Sequence, residues 1–168
     1  MIKAGKIFVL CWKTLLIIAV FFVTFTSTNI LINSWKSILA SEQLQSFISG
    51  GKYLVIGDAK LKILLADTDE KIILGLSGKD YLEEDQAMLF IFPENGIHGI
   101  WMKDMNFAID IIWLDRKFQV VDFLEDVTPA SYPNVFKPKK DSRYVLEVNS
   151  GFIKINGIKI DDQATFLD

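Results

Sequence analysis

The chain has 168 residues, 51% of them hydrophobic, with a formal net charge of −3, which leaves room for one domain and an appendage but not for two full domains. From Lys52 onward 14 Lys and Arg stand against 20 Asp and Glu, a net charge of −6, so the domain repels phosphate backbones and nucleic acid is not an expected partner. Cys11 is the single cysteine and precedes the domain, so no disulfide framework staples it.

The hydrophobic excess is concentrated before residue 36. Between Lys13 and Lys36 lie 22 residues without a formal charge, and as a helix they would reach roughly 33 Å, enough for a hydrocarbon core of about 30 Å. Trp12 and Trp35 stand at the ends of the run, where indoles favour the membrane interface, with Lys13 and Lys36 beside them. The reading is a 1–13 cytoplasmic N-terminus, a 14–35 transmembrane anchor in the lipid bilayer, a 36–51 linker and a 52–168 domain. Lys3, Lys6 and Lys13 precede the span, so the positive-inside rule places the domain outside the cytoplasm. The alternative is a signal peptide, cleaved to release a secreted domain. Thr26-Ser27-Thr28 matches a cleavage site poorly, and the uncleaved anchor is preferred.

Ser34 to Gly51 is polar and ends in Ser49-Gly50-Gly51, a tether. Tyr53 to Ile56 and Lys60 to Ala66 are predicted strands split by Gly57-Asp58, and Asp67-Thr68-Asp69-Glu70 reads as a helix start, with the helix stopping near Gly75. Met88 to Phe92 is a predicted buried strand ending at Pro93, joined through Glu94-Asn95-Gly96 to His98–Met102 as a hairpin. Ile109 to Leu114 and Phe118 to Leu124, around the turn Asp115-Arg116-Lys117, give a second hairpin. Pro129, Pro133 and Pro138 mark an ordered loop or flap. Arg143 to Val148 is the last strong strand; Ser150 is expected to cap a short helix ending at Gly157, and Ile158 to Ile160 to begin a terminal strand. These elements predict an α+β, mainly β fold: a small barrel- or sandwich-like domain with two short helices, preceded by one transmembrane helix.

The blocks Gly75-Leu76, Met88-Leu89-Phe90-Ile91-Phe92, Trp101-Met102-Lys103-Asp104-Met105, Ile109-Asp110-Ile111-Ile112-Trp113-Leu114-Asp115 and Tyr144-Val145-Leu146-Glu147-Val148-Asn149 closely resemble, in order and spacing, the bacterial and archaeal family called domain of unknown function 192. The resemblance covers Lys60 to about Ala164. It implies a compact β-rich fold, often secreted or membrane-tethered, with no established activity or cofactor. Ala87 and Asp161 stand where the family usually has Gly, Ala108 where Pro is common and Ser150 where Ala is common. Ala87 and Asp161 matter most, since Ala and Asp tolerate positive φ less well than Gly.

The candidate ligand-binding residues are Trp101, Lys103, Asp110, Arg143 and Glu147. Strand alternation puts Trp101 and Lys103 on one side and His98, Ile100 and Met102 on the other. A Trp beside a Lys suits a ligand bearing a carboxylate or a sugar ring, although Trp as core with Lys as solvated rim is the commoner arrangement. Asp110 interrupts an apolar strand and needs compensation, from Lys103, from Arg143 or from backbone donors. Arg143, Val145, Glu147 and Asn149 share one face of their strand. Asp110 with Glu147 could form a carboxylate pair for glycoside hydrolysis if their separation allowed it. His98 is the only histidine, so Cys-His catalysis and the usual zinc sets are absent; no metal and no cofactor are expected.

The expected function is therefore an extracytoplasmic module, anchored in the membrane, that binds a small molecule, glycan or protein through these five residues. The alternatives are an envelope hydrolase using Asp110 and Glu147, and a structural component of a membrane complex.

Overall fold

The computed structural model describes residues 53–167, together with Ile38, Glu42, Leu44 and Gln45, which are helical. The predicted span at 14–35, the segment before it and most of the linker lie outside the described residues. Among the described residues no helix is long and apolar enough to cross a membrane.

Strands β1 (Tyr53–Ile56) and β2 (Ala59–Ala66) pair antiparallel around Gly57. Gly57 sits at φ +58, a left-handed conformation that costs glycine little because it has no Cβ. Helix α1 (Asp69–Leu74) then carries the chain across to β3 (Gln86–Gly96), which lies parallel to β2. The α1 cap is Thr68, whose side chain accepts the Lys71 amide at 3.4 Å. Asp67 instead pairs with the Lys71 ammonium at 2.7 Å.

Strand β3 runs through Pro93 rather than ending there. Its pairing with β8 (Ser142–Asn149) stops at Ile91 and resumes at Gly96, so the missing proline N–H falls where the ladder is interrupted. The expected hairpin from β3 to His98–Met102 does not form, because both edges of β3 are occupied, by β2 and β8. The short β4 (Ile100–Trp101) pairs instead with β7 (Val135–Phe136), inside the proline-rich segment. The second expected hairpin does form, from β5 (Ile109–Leu114) to β6 (Val120–Val127). Asp115 Oδ1 fastens its turn by accepting the amides of Lys117 at 2.7 Å and Gln119 at 2.9 Å.

Helix α2 (Phe152–Asn156) follows β8 and ends at Gly157 with φ +62. The terminal strand β9 (Ala164–Leu167) lies later than expected. Ile158 is drawn into the core, and the Lys159 amide donates to Asp162 Oδ2 at 2.7 Å, turning the chain there. The left-handed position anticipated at Asp161 is real, with φ +75, whereas Ala87 has no positive φ.

Seven strands make one sheet in the order β6-β5-β8-β3-β2-β1-β9. Its two edges meet at one end, where Gln119 bridges Gln163 and the Ala164 amide donates to the Phe118 carbonyl at 2.9 Å. The fold is thus a curled, half-barrel sheet rather than a sandwich. Two apolar layers line it. One contains Leu54, Leu89, Ile112, Leu146, Val148 and Phe152; the other contains Phe90, Ile100, Met102, Ile111, Trp113 and Val145. Strand β5 is buried along its whole length because it serves both.

Candidate functional site

In an antiparallel pair, residues directly opposite share a face. Glu147 on β8 stands between Met88 of β3 and Ile111 of β5, so its side chain joins the layer of Phe90, Trp113 and Val145. It is only 4% exposed, and its Oε2 has no hydrogen-bond partner among the described residues. Burial alone pushes its carboxyl up to about 8; no charged neighbour contributes. A buried acceptor without a partner costs on the order of 1–3 kcal/mol, so its retention calls for a reason.

Glu147 opens onto a recess of about 60 Å³. Its walls are the end of α1 and the following turn, from Ile72 to Ser77, with Phe90 and Phe92 from β3 and Ile100 and Trp101 from β4. The recess is small and open at one side, so it suits one small group of a ligand rather than a whole metabolite. Ser77 Oγ donates to the Lys103 carbonyl at 2.7 Å, which leaves its lone pairs free to accept.

The mouth is aromatic and cationic. Trp101 is 43% exposed, while Ile100 and Met102 on either side of it are buried, as strand alternation predicts. Lys103 Nζ lies 5.7 Å from the Trp101 ring centroid, within cation–π range. Tyr132, from the proline-rich segment, meets Trp101 edge-on at 6.3 Å. That segment is an ordered cover: β7 pairs with β4, and Gly99 lies so close to it that a Cβ there would stand 2.6 Å from Val135 Cγ1.

Trp101 and Glu147 thus line one recess, with Lys103 beside Trp101, and Asp110 and Arg143 do not line it. Asp110 pairs with Val148, and Ile111 with Glu147, so the two carboxylates point to opposite faces of the sheet. The geometry needed for a carboxylate-pair hydrolase is therefore missing, since two acids must flank one bond from a shared cleft. The Asp110 partners are also corrected. Neither Lys103 nor Arg143 compensates it; it accepts the backbone amides of Asp126 at 2.8 Å and Ile153 at 2.9 Å. Asp110 thereby caps the first turn of α2, the role expected of Ser150, which instead donates to Asp126 Oδ1 at 2.8 Å. Arg143 shares the Glu147 face by alternation, but its guanidinium donates to the Pro93 carbonyl.

His98 is a packing residue. Its ring stacks on Phe92 at 3.7 Å, its Nε2 lies 2.9 Å from the Glu94 carbonyl, and its own carbonyl accepts the Trp113 indole N–H at 2.8 Å. Among the described residues no group of three or more His, Cys, Asp or Glu side chains is placed to hold a metal ion. The site residues that sequence reasoning missed are Ser77, Phe90, Phe92 and Tyr132. Nothing in strand alternation could have found Ser77 or Tyr132, which reach the site through loops.

The family model of DUF192, described as Uncharacterized ACR, matches residues 53–166. A UPF0127 protein of Thermococcus gammatolerans is 35% identical over 100 residues, 58% of this chain and 61% of the relative. Another from Pyrococcus horikoshii is 34% identical over 91 residues, 51% of this chain and 70% of the relative. The chain thus spans about three-fifths of the Thermococcus protein's length. Two solved structures are similar in fold. A Sinorhizobium meliloti protein proposed to be a transcription regulator superposes with a TM-score of 0.63 at 24% identity, over 68% of this chain and 90% of the other. A protein of unknown function from Novosphingobium aromaticivorans gives 0.63 at 21%, over 67% and 82%.

Proposed function

This chain belongs to the DUF192 family, whose activity is uncharacterised, and from that premise we propose that its domain is a non-catalytic binding module, held at the outer face of a membrane by residues 14–35. Its ligand is a small molecule, or the tip of a glycan or protein group, that rests against Trp101 beside Lys103 and sends one small group into the recess at Glu147. The observation that carries this reading is the buried Glu147, one of whose carboxyl oxygens has no partner among the described residues, in the wall of an open recess. An internal carboxyl serving only as structure would be expected to have its lone pairs satisfied, as those of Asp110 are. The half-exposed Trp101, held by Lys103 and Tyr132 at the mouth, supplies the flat apolar surface that ring-bearing ligands use.

The anchoring half of the proposal rests on the uncharged run before Lys36 and the lysines that precede it. Thermal denaturation of the detergent-solubilised full chain against a panel of cell-wall fragments, amino acids and sugars tests the binding half. A compound that raises the melting temperature of the wild type but not of Trp101→Ala supports it. Shifts equal in both proteins, or none across the panel, overturn it.

A further inference from the structure

We propose that the recess at Glu147 receives the ammonium head of a small primary amine, held between the Glu147 carboxylate and the rings of Phe90, Phe92 and Trp101. This rests on the binding-module reading and names its ligand class.

Besides the indole N–H of Trp101, the polar side-chain groups on the recess wall are those of Glu147 and Ser77. The Ser77 hydroxyl hydrogen is committed to the Lys103 carbonyl, so Ser77 presents only lone pairs. Once ionised, Glu147 also presents only acceptors. A complementary ligand group must therefore donate several hydrogen bonds, and an ammonium offers three. The remaining wall includes the aromatic side chains of Phe90, Phe92 and Trp101, and aromatic faces attract cations by their quadrupole. The recess, about 60 Å³, has room for an ammonium with its first methylene. Lys103, at the mouth beside Trp101, then favours a ligand whose far end carries a carboxylate.

Binding moves one proton. The free protein holds Glu147 as the neutral acid; the ammonium enters with its proton retained, the Glu147 proton leaves to solvent, and an ion pair remains. The neighbours of Glu147 do not titrate: β3 presents Met88 and Phe90, β5 presents Ile111, β4 presents Trp101, and the α1 end presents Ile72 to Leu74. Of the nearby charges, Lys71 is paired with Asp67 and Arg143 is held by Pro93, which leaves Lys103 at the rim.

Isothermal titration of the full chain in detergent, in two buffers of different ionisation heat, tests the proposal with ethylamine, ethanol, butylamine and γ-aminobutyrate. Ethylamine is expected to bind near neutral pH with release of close to one proton, and ethanol at least about tenfold more weakly. The apparent ethylamine affinity should fall about tenfold for each pH unit below 7, because protonation of Glu147 competes with the cation. Glu147→Gln should abolish the proton release and the pH dependence, and Ser77→Ala, which leaves the buried strand intact, should weaken ethylamine severalfold. γ-Aminobutyrate should exceed butylamine, and Lys103→Ala should erase the difference. Equal binding of ethanol and ethylamine, or amine binding without proton release, overturns the proposal. Trp101-dependent binding of neutral or anionic compounds with no response to amines overturns the amine assignment alone, whereas silence toward every compound overturns the binding module with it.

Discussion

Asp110 on β5 accepts the amide of Ile153 in the first turn of α2 at 2.9 Å, across 43 residues of sequence. With the Asp126 amide on its other oxygen, the carboxylate joins β5, the end of β6 and α2 into one unit. Asp110→Ala strands the buried Ile153 amide and the part-buried Asp126 amide and is expected to cost about 2–4 kcal/mol, most of it from Ile153. Asp110→Asn keeps one acceptor and should cost about half as much. Urea denaturation of the three proteins measures this, and losses below about 0.5 kcal/mol in both variants would remove Asp110 from the structural role.

Glu147 should make stability fall as pH rises. Its folded carboxyl lies near 8 against an ordinary value of 4.5, so between these limits the folded state binds more protons than the unfolded. Stability is then unaffected by this group below pH 4.5, declines through the window up to about 8, and stays reduced above it. The slope from this one group is at most about 1.4 kcal/mol per pH unit. Glu147→Gln should flatten that slope and equal or exceed the wild type at neutral pH. Urea midpoints measured from pH 5 to 8 provide the check; identical slopes in the two proteins would contradict the buried, unpaired assignment.

The β4–β7 contact gives a test of the cover. A Cβ at Gly99 would stand 2.6 Å from Val135 Cγ1, closer than carbon atoms approach, and the β-branched valine has few rotamers in which to retreat. Gly99→Ala is expected to cost about 1–3 kcal/mol by overpacking. Adding Val135→Ala should restore most of that loss, because it removes the clashing methyl. A double variant no more stable than Gly99→Ala would show that the strain lies elsewhere.

The domain is expected to face outward from residues 14–35. Protease added to intact cells or spheroplasts should digest it. A domain protected until lysis would reverse the orientation, and a mature chain lacking residues 1–28 would establish the cleaved, secreted form.

Much of the fold was legible because strand periodicity and turn chemistry are local. Gly57, Asp115 and Gly157 mark turns wherever the chain goes next, and the alternation around Trp101 follows from the pleat alone. Trp101, Lys103 and Glu147 could be singled out for the same reason: each breaks a local pattern. What the tertiary structure decided was partnership. One of the two strands flanking β3 is β8, which comes from far along the chain, so the tight turn before His98 looked like a hairpin although its strand was already flanked on both sides. Asp110 and Glu147 looked like a pair because both are acids in apolar strands, yet the register Asp110↔Val148 sends them to opposite faces. In a sheet the face of a residue relative to another strand reverses with a slip of one position, and that register is set by packing across the whole core rather than by either strand's own residues.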